Sequence, residues 1–248
     1  MISVIILSKN NQEYISETLN ALSRFGEVVL IDTGSYDQTL EIASKFTNVT
    51  VYKKKMEGFG TVRNTGAKLA KNDWILAVDA DEIVSNGLVD EIFSLNLDKR
   101  KVYRIPFKNF YNGKWIKGCG WYPELHVRLY NKKTTQFSDL KVHEAVLTEG
   151  LEIINLKNYI NHTSYRSTRD FLKKMQDYSE LFALQNIGKK KSSFSKALLH
   201  GSFAFFKSYL LKRGFLMGKE GFVISAYNAN TSFYKYLKLS EYNKQKCL

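Results

Sequence analysis

The stretch Trp74-Ile75-Leu76-Ala77-Val78-Asp79-Ala80-Asp81-Glu82 decides the fold. It opens on five uncharged apolar residues and ends in three acids within four positions. A short apolar run bounded by polar residues predicts a strand buried on both faces, as in a parallel sheet. Residues 3–7, 27–32 and 49–52 have the same character. Between the runs, Ile15, Leu19 and Leu22 recur at helical spacing, as do Leu40, Ala43 and Phe46. Residues 62–70 read as a further helix, and Leu88, Ile92 and Leu95 lie on the one after the acids. Strand and helix in alternation predict an α/β fold, a mostly parallel sheet with helices on both faces.

In such a sheet ligands bind beyond the carboxyl ends of the strands. Those ends deliver Ser8-Lys9-Asn10-Asn11, then Asp32, then Asp79-Ala80-Asp81-Glu82. Acids so closely spaced repel one another unless a cation or hydrogen-bond donors share the site. Aspartates two apart can direct oxygens at one hard ion, and Mg²⁺ typically takes one or two carboxylates plus substrate phosphates. Ser85 is better placed than either aspartate to cap the following helix. No G-x-G-x-x-G follows the first strand and no G-x-x-x-x-G-K-[ST] occurs, which excludes the usual dinucleotide and P-loop motifs. A nucleotide diphosphate held by a divalent cation is the natural substrate, the metal acting as a Lewis acid on the leaving group.

Composition narrows the rest. The 248 residues carry 37 Lys+Arg and 24 Asp+Glu, a net charge of +13. Residues 1–156 hold 20 basic and 19 acidic residues and residues 157–248 hold 17 and 5, so the excess sits in the last third. Two cysteines, Cys119 and Cys247, build no disulfide framework. The six apolar residues 2–7 are too few for a signal peptide. The longest uncharged run, residues 221–234, falls short of the ~20 apolar residues of a spanning helix. A soluble or peripheral protein of a reducing compartment is expected.

These residues resemble the inverting nucleotide-sugar glycosyltransferases of the GT-A fold, family 2, and among them the lipopolysaccharide-core β-glucosyltransferases that act on heptose. The likeness runs in order through Val4-Ile5-Ile6-Leu7-Ser8-Lys9-Asn10, Leu30-Ile31-Asp32-Thr33-Gly34-Ser35, Glu57-Gly58-Phe59-Gly60, Asn64 and Asp79-Ala80-Asp81-Glu82. It continues through Gly120-Trp121-Tyr122-Pro123-Glu124, Arg128-Leu129-Tyr130, Val142-His143-Glu144 and Arg213-Gly214-Phe215-Leu216. It implies that Ser8 and Asn10 line a nucleoside pocket, with Asp32 accepting from uracil. Arg63 and Asn64 would follow the diphosphate or sugar, Asp79 would face ribose or metal, and Asp81 would ligate Mg²⁺ or Mn²⁺. The chain departs from the family at Asn11, Val62 and Met217, where relatives often carry Glu, Gln and Asp.

Inverting transfer needs a base to take the acceptor hydroxyl proton, and a nearby anion suits the oxocarbenium-like transition state. Glu144 occupies the place of the family's acidic motif and is the preferred base; Glu124, in an aromatic loop, is the alternative, unless it only pairs with Arg128. Residues 109–122 hold Phe110, Tyr111, Trp115, Trp121 and Tyr122 among three glycines. They suit an acceptor-side lid, with Trp121, Tyr122 and His143 as acceptor contacts; a hairpin with ordinary core aromatics is the other reading. His162 could touch the diphosphate.

Residues 161–248 read as a basic helical extension of a catalytic domain spanning 1–160. Thr168 is placed to cap a helix bearing Phe171, Met175, Tyr178 and Phe182 on one stripe. Two further helices, residues 195–212 and 219–239, combine cations with aromatics, as do helices that lie on anionic membranes. The expectation is a metal-dependent enzyme moving glucose from UDP-glucose to a lipid-linked core saccharide, peripheral on the cytoplasmic face of the inner membrane. A protein or peptide acceptor is the second enzymatic reading. A nucleic-acid-binding protein would leave Asp32, Asp79 and Asp81 unexplained and has no motif here.

Overall fold

The computed structural model describes residues 1–139, 144–165 and 167–245. The chain divides into two compact units, residues 1–107 with 124–162 and residues 108–123 with 163–248. Segment 108–123, which lies within the span expected for the catalytic domain, thus belongs with the helices.

The first unit opens with the expected alternation: β1 (Ile2–Ser8), α1 (Ile15–Ala21), β2 (Val28–Asp32), α2 (Thr39–Ala43), β3 (Val49–Lys53), α3 (Phe59–Leu69) and β4 (Trp74–Asp79). Every residue of β1 and β2 is buried, as β-branched runs covered on both faces must be. Successive side chains of a strand point to opposite faces, and the core divides accordingly. Val4 and Ile6 join Ile15, Leu19, Leu88 and Ile92 on one face. Ile5 joins Val62 and Ala67 of α3 on the other.

Beyond β4 come β5 (Glu82–Val84), α4 (Asn86–Ser94), β6 (Lys101–Tyr111), β7 (Lys114–Trp115), β8 (Glu124–Asn131), β9 (Glu152–Asn155) and β10 (Ile160–Tyr165). The main strand order is β3-β2-β1-β4-β8-β6-β10-β5. The first four are parallel, whereas β8 runs antiparallel to both β4 and β6. The sheet is therefore mixed, its parallel half bearing the acidic strand ends. Ser85 caps α4, accepting from the Leu88 amide, as its sequence position indicates.

In the second unit the aromatic segment forms a hairpin. Phe110 pairs with Trp115 and Tyr111 with Lys114, around a turn in which Asn112 and Gly113 both have positive φ. Of the two readings of residues 109–122, the irregular lid and the hairpin, this pairing gives the hairpin over Phe110–Trp115. The helices are α5 (Thr168–Asn186), α6 (Phe194–Phe206), a π-helical turn (Lys207–Leu211), a 3₁₀ turn (Gly214–Met217) and α7 (Lys219–Gln245). Ser167, not Thr168, caps α5, in a capping box with Asp170. The buried residues of α5 are Phe171, Ser179 and Ala183. Tyr178 of the expected apolar stripe is exposed, because α5 turns its small residues towards its neighbours. Helices α5 and α6 both pack on α7, and a Cβ at Gly201 would lie 3.0 Å from the Cβ of Phe233. Only a glycine permits so close a crossing. Among the described residues, no helix is long and apolar enough to cross a membrane.

Candidate active site

Strand register gathers the polar ends. Ser8 stands opposite Asp32 across β1 and β2, and Leu7 opposite Asp79 across β1 and β4. Asp32 is buried and accepts from the Gly34 and Ser35 amides, both at 3.2 Å. Asn10, held at a φ of 55°, accepts from the Tyr36 amide at 3.0 Å, while its own amide donates to the Ser35 hydroxyl at 2.9 Å. Asn10 and Asp32 therefore both fix the 33–36 turn. A pocket runs beside it along Asp32, Thr33, Gly34, Lys53, Lys54 and Lys55.

At the end of β4 lies a buried network of charges. Arg63 of α3, only 2% exposed, donates to Asp79 Oδ1 at 2.5 Å. Arg128 of β8 reaches Asp79 Oδ2 at 3.2 Å and Glu82 Oε1 at 2.8 Å. Glu82 in turn accepts from the Asp79 amide at 2.8 Å. Arg63 Nε lies 3.6 Å from Glu144 Oε1, beyond hydrogen-bond reach. Arg63 Nε and Nη1 and Arg128 Nε are buried with no hydrogen-bond partner among the described residues. Phe137 and Phe107 support the two guanidiniums at 5.2 and 5.3 Å.

Protonation follows from this packing. Burial opposes charge on Asp79, but Arg63 and Arg128 outweigh it and hold the carboxyl well below the usual range. Burial pushes Glu82 up to about 8 despite Arg128, and the neighbouring Asp79 charge adds to the rise. Burial works against charge on Arg128, but Glu82 and Asp79 outweigh it and hold the guanidinium firmly protonated.

Arg63, Asp79, Arg104, His126, Arg128 and Glu144 line a cleft of about 400 Å³. Glu144 is thus brought together with Asp79 and Arg63. Glu124, the alternative base, stands at the start of β8 and bonds to His126, Oε1 to Nε2 at 2.7 Å; Arg128, its other candidate partner, contacts Asp79 and Glu82. Asn64 is not brought to this cleft: its amide donates to the Phe137 carbonyl and accepts from the Phe137 amide, both at 2.9 Å. It ties the Phe137 backbone to α3. Asp81 lies 3.8 Å from His162 Nε2, and both side chains are partly exposed. Among the described residues no group of three His, Cys, Asp or Glu side chains converges on a metal position. Asp79, expected as a ligand, is held by two arginines.

Trp121 and Tyr122 fall in the second unit. Trp121 stacks on Tyr165 at 5.4 Å, within a cluster that includes Phe171, Tyr111 and Tyr227. Tyr122 is exposed and meets Trp115 edge-on. His143 lies outside the described residues. Arg128 and Glu82 are the participants that sequence reasoning left without a role. The paired position of Arg128 beside the strand-end acids is visible only once β8 is placed next to β4.

Acids and arginines gathered at the carboxyl ends of parallel strands, in a mixed sheet of this order, define the GT-A class of nucleotide-sugar transferases. The model for glycosyl transferase family 2 matches residues 3–148, and the chain belongs to that family. An uncharacterised glycosyltransferase of Rickettsia typhi is 31% identical over 97% of this chain and 87% of its own. Among solved structures, residues 1–349 of Staphylococcus aureus TarS in complex with UDP-GlcNAc superpose with a TM-score of 0.53 at 20% identity, covering 99% of this chain and 92% of that one. TarS is named a poly(ribitol-phosphate) β-N-acetylglucosaminyltransferase. A mannosyltransferase of Pyrobaculum calidifontis, in complex with GDP-Man and Mn²⁺, gives a TM-score of 0.51 at 14% identity over 92% of this chain and 73% of its own. The protein is a glycosyltransferase.

Proposed function

We propose that this enzyme is a metal-dependent inverting transferase that moves a sugar, glucose from UDP-glucose in the first instance, to a lipopolysaccharide or lipooligosaccharide core acceptor through a heptose hydroxyl. The observation that carries the reading is the Arg63 guanidinium. It is buried among acids with two nitrogens unpaired, and a buried cationic donor without a partner is costly. A diphosphate supplies the missing acceptors. TarS, with the same fold, binds a UDP-sugar, which supports a uridine donor.

In this reading Ser8, Asn10 and Asp32 border the nucleoside, and Arg63 holds the diphosphate. Asp79 keeps the Arg63 and Arg128 guanidiniums charged and aimed. Asp81 and His162 are the pair that fits a divalent cation: a carboxylate and an imidazole 3.8 Å apart leave the remaining positions to phosphate and water. That mixed oxygen–nitrogen pair suits Mn²⁺ better than Mg²⁺, which prefers oxygen alone. Bound there, the cation would neutralise charge developing on the leaving diphosphate. Glu144 takes the proton from the attacking hydroxyl, within the cleft it shares with Arg63 and Arg128. Glu124, bonded to His126, shapes the rim. The basic second unit attracts the enzyme to the anionic inner face of the cytoplasmic membrane, where a lipid-linked, phosphorylated acceptor is presented.

The test is a panel of UDP- and GDP-sugars with Mg²⁺ or Mn²⁺, followed for slow donor hydrolysis and for transfer to core oligosaccharide. UDP-glucose turnover that needs the metal is expected, with Asp81→Ala abolishing it. Turnover confined to GDP-sugars, or unaffected by a chelator, would overturn the assignment.

A further inference from the structure

Helix α6 is apolar on the wrong side. A surface helix normally turns its charges outward. Here the inward face is built from Ala197 and Gly201, while Leu199, Phe203 and Phe206, at spacing i, i+4, i+7, are 71, 57 and 46% exposed. The only charged residue of the helix is Lys196. The pattern runs on into the turns that follow: Leu210 and Leu211 of the π-helical turn and Phe215 and Leu216 of the 3₁₀ turn are also exposed. Ring contacts make the patch continuous, since Tyr209 lies 6.4 Å from Phe215 and 6.0 Å from Phe222. Exposed apolar surface of this extent marks an interaction site.

Its surroundings identify the occupant. Residues 181–219 contain eight Lys or Arg and no Asp or Glu. Lys196, Lys207, Lys212, Arg213 and Lys219 on and beside the patch are all exposed. An apolar face bordered by unopposed cations matches the layering of an anionic phospholipid surface, acyl chains beneath phosphates. We propose that the face carrying Leu199, Phe203, Phe206, Phe215 and Leu216 inserts into the interfacial layer of an anionic membrane, with the cations at phosphate level. The inference rests on the peripheral-membrane reading above and adds that attachment is hydrophobic as well as electrostatic.

Co-sedimentation of the full chain with phosphatidylcholine vesicles, with and without phosphatidylglycerol, tests it. Binding to the anionic vesicles is expected to persist in part at about 1 M NaCl, where surface charges are screened beyond ~3 Å. Phe215→Asp with Leu216→Asp, and separately Leu199→Asp with Phe203→Asp, are expected to weaken binding by about tenfold or more. Hydrolysis of UDP-sugar without vesicles should be unchanged, which shows that the variants fold. Phe215→Trp should be quenched by brominated acyl chains. Complete release by salt, with the Asp variants binding as wild type, overturns insertion and leaves electrostatic attachment standing. No binding to any vesicle overturns both. A dimer that the Asp variants dissociate without change in vesicle binding assigns the face to a second copy and overturns the proposal.

Discussion

At the level of single residues, the site is organised by which acids are neutralised and which remain available. Asp79 is held by Arg63 and Arg128, so it positions cations and takes no proton. Among the described residues Glu144 has only the longer 3.6 Å approach to Arg63 Nε, and it lines the cleft. Glu144→Gln is therefore expected to lower kcat by about 10²–10⁴-fold, with the melting temperature unchanged and UDP-sugar binding by calorimetry retained. Glu124→Gln should alter chiefly the KM for acceptor. Unimpaired turnover in Glu144→Gln would pass the role to Glu124. The acids were legible in the sequence because a strand end after an apolar run is a physical address. Their partners were less so. Arg128 sits on an antiparallel strand 49 positions from Asp79, and no local spacing reports that pairing. Asn64 reads as a ligand until its amide is seen engaged with a backbone 73 residues away.

Between elements, two clamps hold the site to the sheet. The first joins α3 to the backbone of Phe137. Asn64→Ala would strand the amide and carbonyl of Phe137, a buried residue, at about 1–3 kcal/mol each. A loss of about 2–5 kcal/mol in urea unfolding is expected, with Asn64→Asp recovering only part because it restores only the acceptor. Gly60 belongs to the same clamp: a Cβ there would overlap the Ser138 carbonyl and lie 3.5 Å from the Cβ of Glu144. Gly60→Ala should accordingly cost stability as well as activity, because the Ser138 backbone must shift to admit the methyl. The second clamp is Glu91 of α4, whose carboxylate accepts from the Lys157 and Asn158 amides and from the Asn158 side chain at 2.8–2.9 Å. Burial alone would raise its pKa, but these donors outweigh it and the net shift is downward. A depressed carboxyl contributes stability that is present above its unfolded pKa and is lost as pH falls through the folded value. Glu91→Gln is expected to cost about 1–3 kcal/mol at neutral pH. The gap from wild type should close in acid, as thermal melts between neutral pH and pH ~3 would show. Neither clamp was legible, since each is a tertiary hydrogen bond with no periodic trace. The elements they join were, because alternating apolar runs and helical stripes carry their own period. The exceptions are the hairpin within residues 109–122, which the aromatics and glycines left as one of two readings, and Thr168, one position past the true cap.

For the whole molecule, the charge division in the sequence and the apolar face in the structure correspond to the two components of the membrane attachment proposed above. The first unit is nearly neutral and the +12 of residues 157–248 stands almost unopposed. Where that charge sits is plain from composition. That α6 leaves its apolar side uncovered is not, because periodicity shows which residues share a face but not whether another element covers it. Lys189, Lys190 and Lys191 lie in the loop between α5 and α6, apart from the apolar stripe. Each cation near an anionic surface contributes about 1 kcal/mol, so three together are equivalent to about two orders of magnitude in partition. Replacing all three by Gln is expected to weaken binding to phosphatidylglycerol vesicles by nearly that factor at about 0.1 M salt, where the Debye length is ~10 Å. At about 1 M salt the same variant should bind almost as well as wild type, because screening has already removed what the lysines supplied. The Phe215→Asp, Leu216→Asp variant should behave in the opposite way, its deficit persisting at high salt. Measured across a salt series, parallel curves for the two variants would mean a single undivided attachment. Curves that cross would place attraction in the lysine loop and retention in the apolar face.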